Sequence, residues 1–343
     1  MRPAHLTLTV IGLLLAASLR AEIYELPPEG YDVVGAVATV TAREEDTLID
    51  IARRNGLGYH DIVRANPGVN IWVPGEGTEV VLPTRFVLPP GPRRGIVLNL
   101  AEYRLYYYPE VVEGEPAYVM TYPISIGRMD WETPLGATSV ISKVTDPSWY
   151  PPQSVRDEHA AEGRPLPRIV PPGPDNPLGR YAMRLGLPGY LIHSTNRPAG
   201  VGMRVTHGCI RMFPEDIEYL FPNVDLNTPV RIINAPVKIG WFGDELVMEV
   251  HPVLEAAMSE GNEELVAADI DVDTGDEAAG ESEVVVQPKD PLTYVTEQFI
   301  AVTGSRAGAL DWDEVEVLIN RSDGIPAAAG TGIKNAAASA ASQ

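Results

Sequence analysis

Ile192-His193-Ser194-Thr195-Asn196, then nine residues, then Thr206-His207-Gly208-Cys209-Ile210-Arg211: the reading of this chain turns on that stretch. Cys209 is the sole cysteine among 343 residues. A thiol is a strong nucleophile only as thiolate, which forms where a base or a positive environment draws off the proton. Imidazole is the natural base because it titrates near neutrality. Two are at hand: His207, two residues before Cys209, and His193, which can approach across a sheet. Gly208 lets backbone come close to a carbonyl substrate, so amide N–H groups there suit an oxyanion hole. Two plainer readings compete. A lone thiol is often just a small buried hydrophobe. Alternatively His207-x-Cys209 with His193 offers three metal ligands, although one intervening residue is not a common zinc spacing and no fourth ligand is evident.

Outward from this stretch the pattern is β. Ile96, Leu98 and Leu100 alternate, Leu105 to Tyr108 returns with aromatic residues, and Tyr118 to Ile126 and Ser139 to Val144 are further strands. Thr133-Pro134-Leu135-Gly136 and the run Pro172 to Gly179 cannot continue a strand and mark the rim of a sandwich or barrel. The 31 glycines and 32 prolines favour the same turn-rich architecture. Asp146 to Pro172 is long, polar and proline-rich, as lids and substrate walls are. These features set a mainly β domain over residues 94–236, with residues 237–261 as its extension.

Residues 36–84 read differently. Val37 to Thr41 is a strand, and Asp46-Thr47 caps a helix whose apolar positions are Leu48, Ile49, Ile51 and Ala52. Tyr59 to Ala65 is a second short helix ended by Asn66-Pro67-Gly68, and Glu79 to Leu82 is a closing strand. Strand, helix, helix, strand makes a small α+β module.

Both patterns resemble known families. The stretch from His193 to Arg211 resembles the signature of the YkuD-type L,D-transpeptidases. His precedes Ser/Thr-His-Gly-Cys, whereas papain-like and NlpC-type peptidases place Cys before His. Twelve residues separate His193 from Thr206, somewhat fewer than the signature carries. Trp149-Tyr150-Pro151-Pro152 and the Pro-Leu-Gly loops resemble the periplasmic subgroup. Asp46-Thr47-Leu48, Ile51-Ala52, Asn66-Pro67-Gly68 and Val80 to Pro83 resemble a LysM module, with Glu45 where that family commonly has Gly.

The resemblance implies a YkuD-like β-sandwich and a two-step acyl transfer with no metal or organic cofactor. Cys209 is then the nucleophile, His193 its base and Ser194 the residue that orients His193 through its carbonyl. His207 and Gly208 belong to the oxyanion hole and positioning groups. Arg211, Thr206, Asn196, Trp149 and Tyr190 contact substrate or line its cleft. Arg211 has an alternative as a surface partner of Glu215 or Asp216. Implied partners are peptidoglycan stem peptides and glycan, and an outer-membrane lipoprotein whose lysine is one acceptor. A hydrolase of the same bonds and a non-catalytic wall-binding protein are the competing functions, and the module is either a glycan binder or a spacer.

The chain carries 26 basic and 47 acidic residues, a net charge of −21. Such acidity is a poor match for nucleic acid or anionic lipid. Residues 253–343 hold 18 acids against 4 bases, so most of the excess lies there. Residues 262–290 read as an acidic disordered linker, 291–325 as a short helical tail with Leu292, Val295, Phe299 and Asp311 to Leu318 in helical register, and 326–343 as a disordered Ala-rich end. At the other terminus, Arg2 and His5 precede an apolar stretch from Leu6 to Ala17 with small residues following. Twelve residues are too few for a bilayer core needing about 20, so residues 1–21 read as a cleavable signal for export to the periplasm, with no stable membrane insertion afterwards.

Overall fold

The computed structural model describes residues 22–128, 131–254 and 289–333. The expected signal segment, most of the acidic linker and the last ten residues lie outside these. No helix among the described residues is long and apolar enough to cross a membrane.

The N-terminal part comprises β1 (Glu22–Glu25), β2 (Val33–Gly35), β3 (Ala38–Thr41), α1 (Leu48–Arg54), α2 (Tyr59–Ala65), β4 (Glu79–Leu82) and β5 (Arg85–Val87). Thr47 caps α1 in a reciprocal pair with Asp50. The buried Asn66 amide closes α2, bonding Ile62 O at 2.8 Å and both backbone groups of Val81 on β4. β3 and β4 pair antiparallel.

Next come β6 (Gly95–Asn99), β7 (Arg104–Tyr108), β8 (Tyr118–Pro123), β9 (Ile126–Gly127), β10 (Gly136–Thr145), α3 (Gln153–Ala161), β11 (Tyr181–Leu185), β12 (Leu191–His193), β13 (Arg204–Thr206), β14 (Ile210–Arg211), α4 (Pro214–Asn223) and β15 (Pro229–Ile233). The expected mainly β domain is built on a nine-stranded mixed sheet, ordered β1-β8-β7-β6-β15-β10-β11-β12-β14, with β9 and β13 pairing as a short second sheet. The main sheet curls until Arg211 on its last strand bridges Ser125, just beyond β8. β10 makes this possible. Gly136 to Ser139 pairs with β15, Val140 to Thr145 pairs with β11, and the register breaks between Val140 and Ser142. A bulge bends a strand and sharpens its twist, so one long strand serves both halves.

The strands β6 to β8 are buried on both faces. Ile96, Leu98, Leu105, Tyr107, Met120 and Tyr122 line the inner core together with Ile192, Ile210 and Leu220. Val97, Tyr106, Tyr108 and Val119 face the other way, against Leu48, Ile51 and Ile62 of the N-terminal helices. The module is therefore packed onto the sheet rather than tethered to it. A buried ion pair reinforces this docking: Arg104 Nη2 on β7 meets Asp61 Oδ2 on α2 at 2.6 Å.

The C-terminal part holds β16 (Val237–Phe242), β17 (Glu245–Val250), α5 (Pro291–Thr303), β18 (Gly308–Leu310), α6 (Trp312–Arg321) and β19 (Ala327–Gly332). The expected helical tail thus also contains strands, and Ala327–Gly332 is ordered where a disordered end was expected. β19 adds to the hairpin edge at β17, and small residues let the strand lie against Leu310 and under the helices. Val295, Val315 and Leu318 pack there with Trp241 and Met248. Inside this junction Lys238 Nζ lies 2.5 Å from Glu102 and 2.8 Å from Glu249. His251 Nε2 is 2.7 Å from Glu249 as well.

Candidate active site

β12 and β14 run parallel, with Ile192 opposite Ile210 and His193 opposite Arg211. Ile192 and Ile210 are fully buried in the inner core. Side chains alternate across a strand, so His193, Arg211 and Cys209 share the opposite face. Strand pairing thus joins residues sixteen positions apart in sequence.

His193 is enclosed by protein. Burial first, and the Arg211 guanidinium second, push its imidazole down to about 3, against the backbone carbonyls of Ser194 and Leu178 that favour the protonated ring. Its Nδ1 is buried and has no hydrogen-bond partner. Held at about 3, the imidazole is neutral at physiological pH.

Cys209 keeps partial solvent access, yet burial pushes its thiol pKa up, with Leu191 backbone and Arg211 opposing. Its Sγ lies 3.6 Å from Gly189 O, the acceptor for its proton. At rest the thiol and the imidazole are both neutral.

The backbone around Cys209 is tied from behind. Thr133 Oγ1 donates to Gly208 O at 2.8 Å, and Thr206 Oγ1 donates to Cys209 O at 2.6 Å. In a trans peptide N–H and C=O point opposite ways. Holding the Gly208 carbonyl toward Thr133 therefore aims the Cys209 N–H away from it. Gly208 sits at φ +95, where a Cβ would also approach the Tyr190 ring to 2.9 Å, so no other residue fits.

Above this floor lies the Asp146 to Pro172 segment, whose stem closes through paired Trp149 and Val170. The buried Asn176 amide clasps both ends, donating to Pro147 O at 2.7 Å while its carbonyl accepts from Leu178 N at 2.9 Å. Helix α3 in this lid reaches the site through Glu158. Its Oε2 is 2.7 Å from His207 Nε2, and its Oε1 accepts from Arg128 at 2.9 Å. Trp131 packs edge-on to the His207 ring.

A family model described as the L,D-transpeptidase catalytic domain, YkuD, matches residues 93–232. The Salmonella typhimurium protein named "Probable L,D-transpeptidase ErfK/SrfK" is 43% identical over 241 residues, covering 69% of this chain and 76% of that one. Escherichia coli "Probable L,D-transpeptidase YcfS" is 42% identical over 230 residues, 66% of this chain and 71% of that one. Escherichia coli "Probable L,D-transpeptidase YbiS" is 40% identical over 260 residues, 74% of this chain and 83% of that one. This chain belongs to the L,D-transpeptidase family.

The remaining expected residues divide by position in this L,D-transpeptidase. Ser194 is buried, and its backbone favours the protonated His193 ring. Tyr190 walls Gly208, its hydroxyl fixed on Glu132 O at 3.0 Å. Thr206 was expected at the substrate, but it is fully enclosed and orients the Cys209 carbonyl instead. Asn196 is exposed and donates to Asp175 O at 3.2 Å. Trp149 belongs to the lid stem. Arg211 does not pair with Glu215, which takes Arg53 in a two-pronged bond of 2.6 and 2.8 Å. Sequence reasoning missed Thr133, Asn176, Arg128 and Glu158. The first two sit in loops it had marked as rims, and nothing in a linear pattern says that a rim threonine reaches residue 208.

Among the described residues, Glu102, Glu249 and His251 bring one ligand atom each within 4.8 Å of one another, as metal ligands do. The Lys238 ammonium already lies on both carboxylates, so the protein supplies its own cation there. The three residues that offered a zinc reading divide differently: His207 engages Glu158, while His193 lies on β12 and Cys209 immediately precedes its parallel partner β14.

Proposed function

We propose that this enzyme acts on the tetrapeptide stems of peptidoglycan by acyl transfer through Cys209. The observation that carries the reading is the buried His193, its Nδ1 without a hydrogen-bond partner, on the same sheet face as Cys209. Cys209 Sγ attacks the carbonyl carbon of the third stem residue as His193 takes the thiol proton. The developing oxyanion is met by backbone N–H groups at Gly208 and Cys209, the Cys209 N–H aimed by the hold of Thr133 on Gly208 O. Collapse expels terminal D-alanine, whose amine leaves with the proton from His193. An acceptor amine then attacks the thioester, gives its proton through His193 to sulfur, and frees Cys209.

Two amines suit the second step: diaminopimelate of another stem, giving a 3→3 cross-link, and the lysine of an outer-membrane lipoprotein. Arg211, cationic beside the pair and without an ion-pair partner among the described residues, is placed to hold a stem carboxylate. The signal-like N-terminus supports action in the periplasm, and the docked N-terminal module, with its LysM-like pattern, supports glycan binding. Purified tetrapeptide muropeptides, incubated with the enzyme and read by mass spectrometry, provide the test. Cross-linked or lipoprotein-linked products are expected, free tripeptides alone would make it a hydrolase, and wild-type turnover by Cys209→Ala would sink the mechanism.

A further inference from the structure

Helix α3 is weakly attached. Of its nine residues only Val155 is buried. What fixes its inner face is one carboxylate, Glu158, gripped by two groups at the mouth of the site. Arg128 donates to Oε1 at 2.9 Å and His207 Nε2 lies 2.7 Å from Oε2. At that distance from a carboxylate the nitrogen carries the proton, so the 3.4 Å approach of Arg128 Nη2 to it is packing rather than a bond.

The seat itself belongs to the catalytic floor, not to the lid. Arg128 N donates to Thr206 O at 2.9 Å, and Gly127 packs against Gly208 so closely that a Cβ would come within 3.0 Å of it. His207 is two residues before the nucleophile. Guanidinium plus imidazole N–H is a preformed two-point holder for a carboxylate. Both holders and Glu158 are partly solvent-exposed, so a carboxylate arriving from outside can compete for the place.

The structure assigns Arg128 and His207 as a recognition seat for a carboxylate of the incoming peptide, with lid residue Glu158 as its resident stand-in. The inference rests on the acyl-transfer reading. It adds a specificity determinant distinct from Arg211 and makes lid opening a consequence of substrate binding, because the substrate carboxylate replaces Glu158. Two substrate carboxylates have this chemistry: the terminal D-alanine carboxylate of the donor and a free carboxylate of the acceptor.

The test compares four peptides: donor tetrapeptide as free acid and as C-terminal amide, each with acceptor tripeptide carrying its diaminopimelate carboxylate free or amidated. In Arg128→Gln, KM for the acid form of one partner should rise about tenfold or more while its amide is unaffected and kcat changes little. Arg128→Lys should recover part of the difference. Glu158→Gln should lower KM for that same acid several-fold, its occupant having been weakened. Whichever partner loses its acid preference is the one seated there. Equal losses for acid and amide in Arg128→Gln, or an unchanged KM in Glu158→Gln, would overturn the assignment. Binding of the same acid and amide peptides to Cys209→Ala protein, with and without Arg128→Gln, gives the ratio independently of turnover. If wild type turns over no peptide, the acyl-transfer reading fails, while the binding ratio still decides the seat.

Discussion

Replacing Asp61 by asparagine probes how the N-terminal module is held. Arg104 is 1% exposed and Asp61 12% exposed, and their contact of 2.6 Å crosses from the catalytic sheet to α2. The other Arg104 contacts are weak: Gly56 O and Thr121 Oγ1 both lie at 3.3 Å. Phe86 stacks under the guanidinium, 4.4 Å from ring centroid to Cζ. In Asp61→Asn the side-chain amide keeps the shape, and its oxygen can still accept from Gly58 N, the 2.9 Å bond that caps α2. The substitution therefore removes charge alone and leaves a buried cation without its partner. Such a loss costs roughly 3–5 kcal/mol, and the slight exposure of Asp61 puts it near the lower end. At about 2–4 °C per kcal/mol, the melting temperature should drop by roughly 6–12 °C. Urea unfolding measures the free energy directly. The double variant Asp61→Asn/Arg104→Met should regain much of the loss, since it buries no charge. A fall below about 1 kcal/mol in the single variant, or no recovery in the double, would refute a charge-held interface.

The other predictions concern the site and one buried acid. Gly208→Ala should abolish acylation of Cys209, measured by intact-protein mass spectrometry, because φ +95 and the Tyr190 ring both exclude a Cβ; normal acylation would contradict the backbone reading. Thr133→Val should lower kcat about tenfold by releasing Gly208 O, a hydrogen bond of roughly 1–1.5 kcal/mol, with the longer 3.3 Å bond from Gly127 N lost beside it and little effect on KM. Because His193 is pushed down to about 3 and the Cys209 thiol up, kcat/KM should show no acid limb near pH ~6.5, the ordinary histidine value, and iodoacetamide labelling of free enzyme should keep climbing into the alkaline range. A labelling plateau at neutral pH would indicate a thiolate–imidazolium pair instead. Asp216, with Oδ2 buried and unpartnered, is pushed up to about 8 by burial, then by Glu215. The unfolded carboxyl ionises first, so wild-type stability falls as pH rises from about 4 to 8, by up to about 1.4 kcal/mol per unit. The advantage of Asp216→Asn in thermal melts should widen over that window, and a constant difference would exclude the effect.

Local signals settled much of this protein in advance. Asp46-Thr47 before an apolar run announced a helix start, and Thr47 is its cap. Asp311 before Trp312 announced another. Capping and turn chemistry are satisfied within a few residues, so they survive in linear sequence. Ala327–Gly332 escapes a sequence reading for the complementary reason: alanine and glycine have no strand preference of their own, and only the open edge of β17 recruits them. The curl of the main sheet was likewise invisible, since the bulge in β10 acts through its partners β15 and β11.

The active site divides along the same line. The sequence by itself singled out the groups proposed to react, because one cysteine followed His-Gly and one upstream histidine stood in reach of a strand pairing. Only the tertiary structure decided their state and surroundings. Depressing an imidazole to about 3 takes burial on every side, which neighbours in sequence cannot supply. Thr133 reaches Gly208 across 75 positions, and Glu158 reaches His207 across 49. Such contacts depend on the closure of the sheet and the fold of the lid over it, and no pattern along the chain records them.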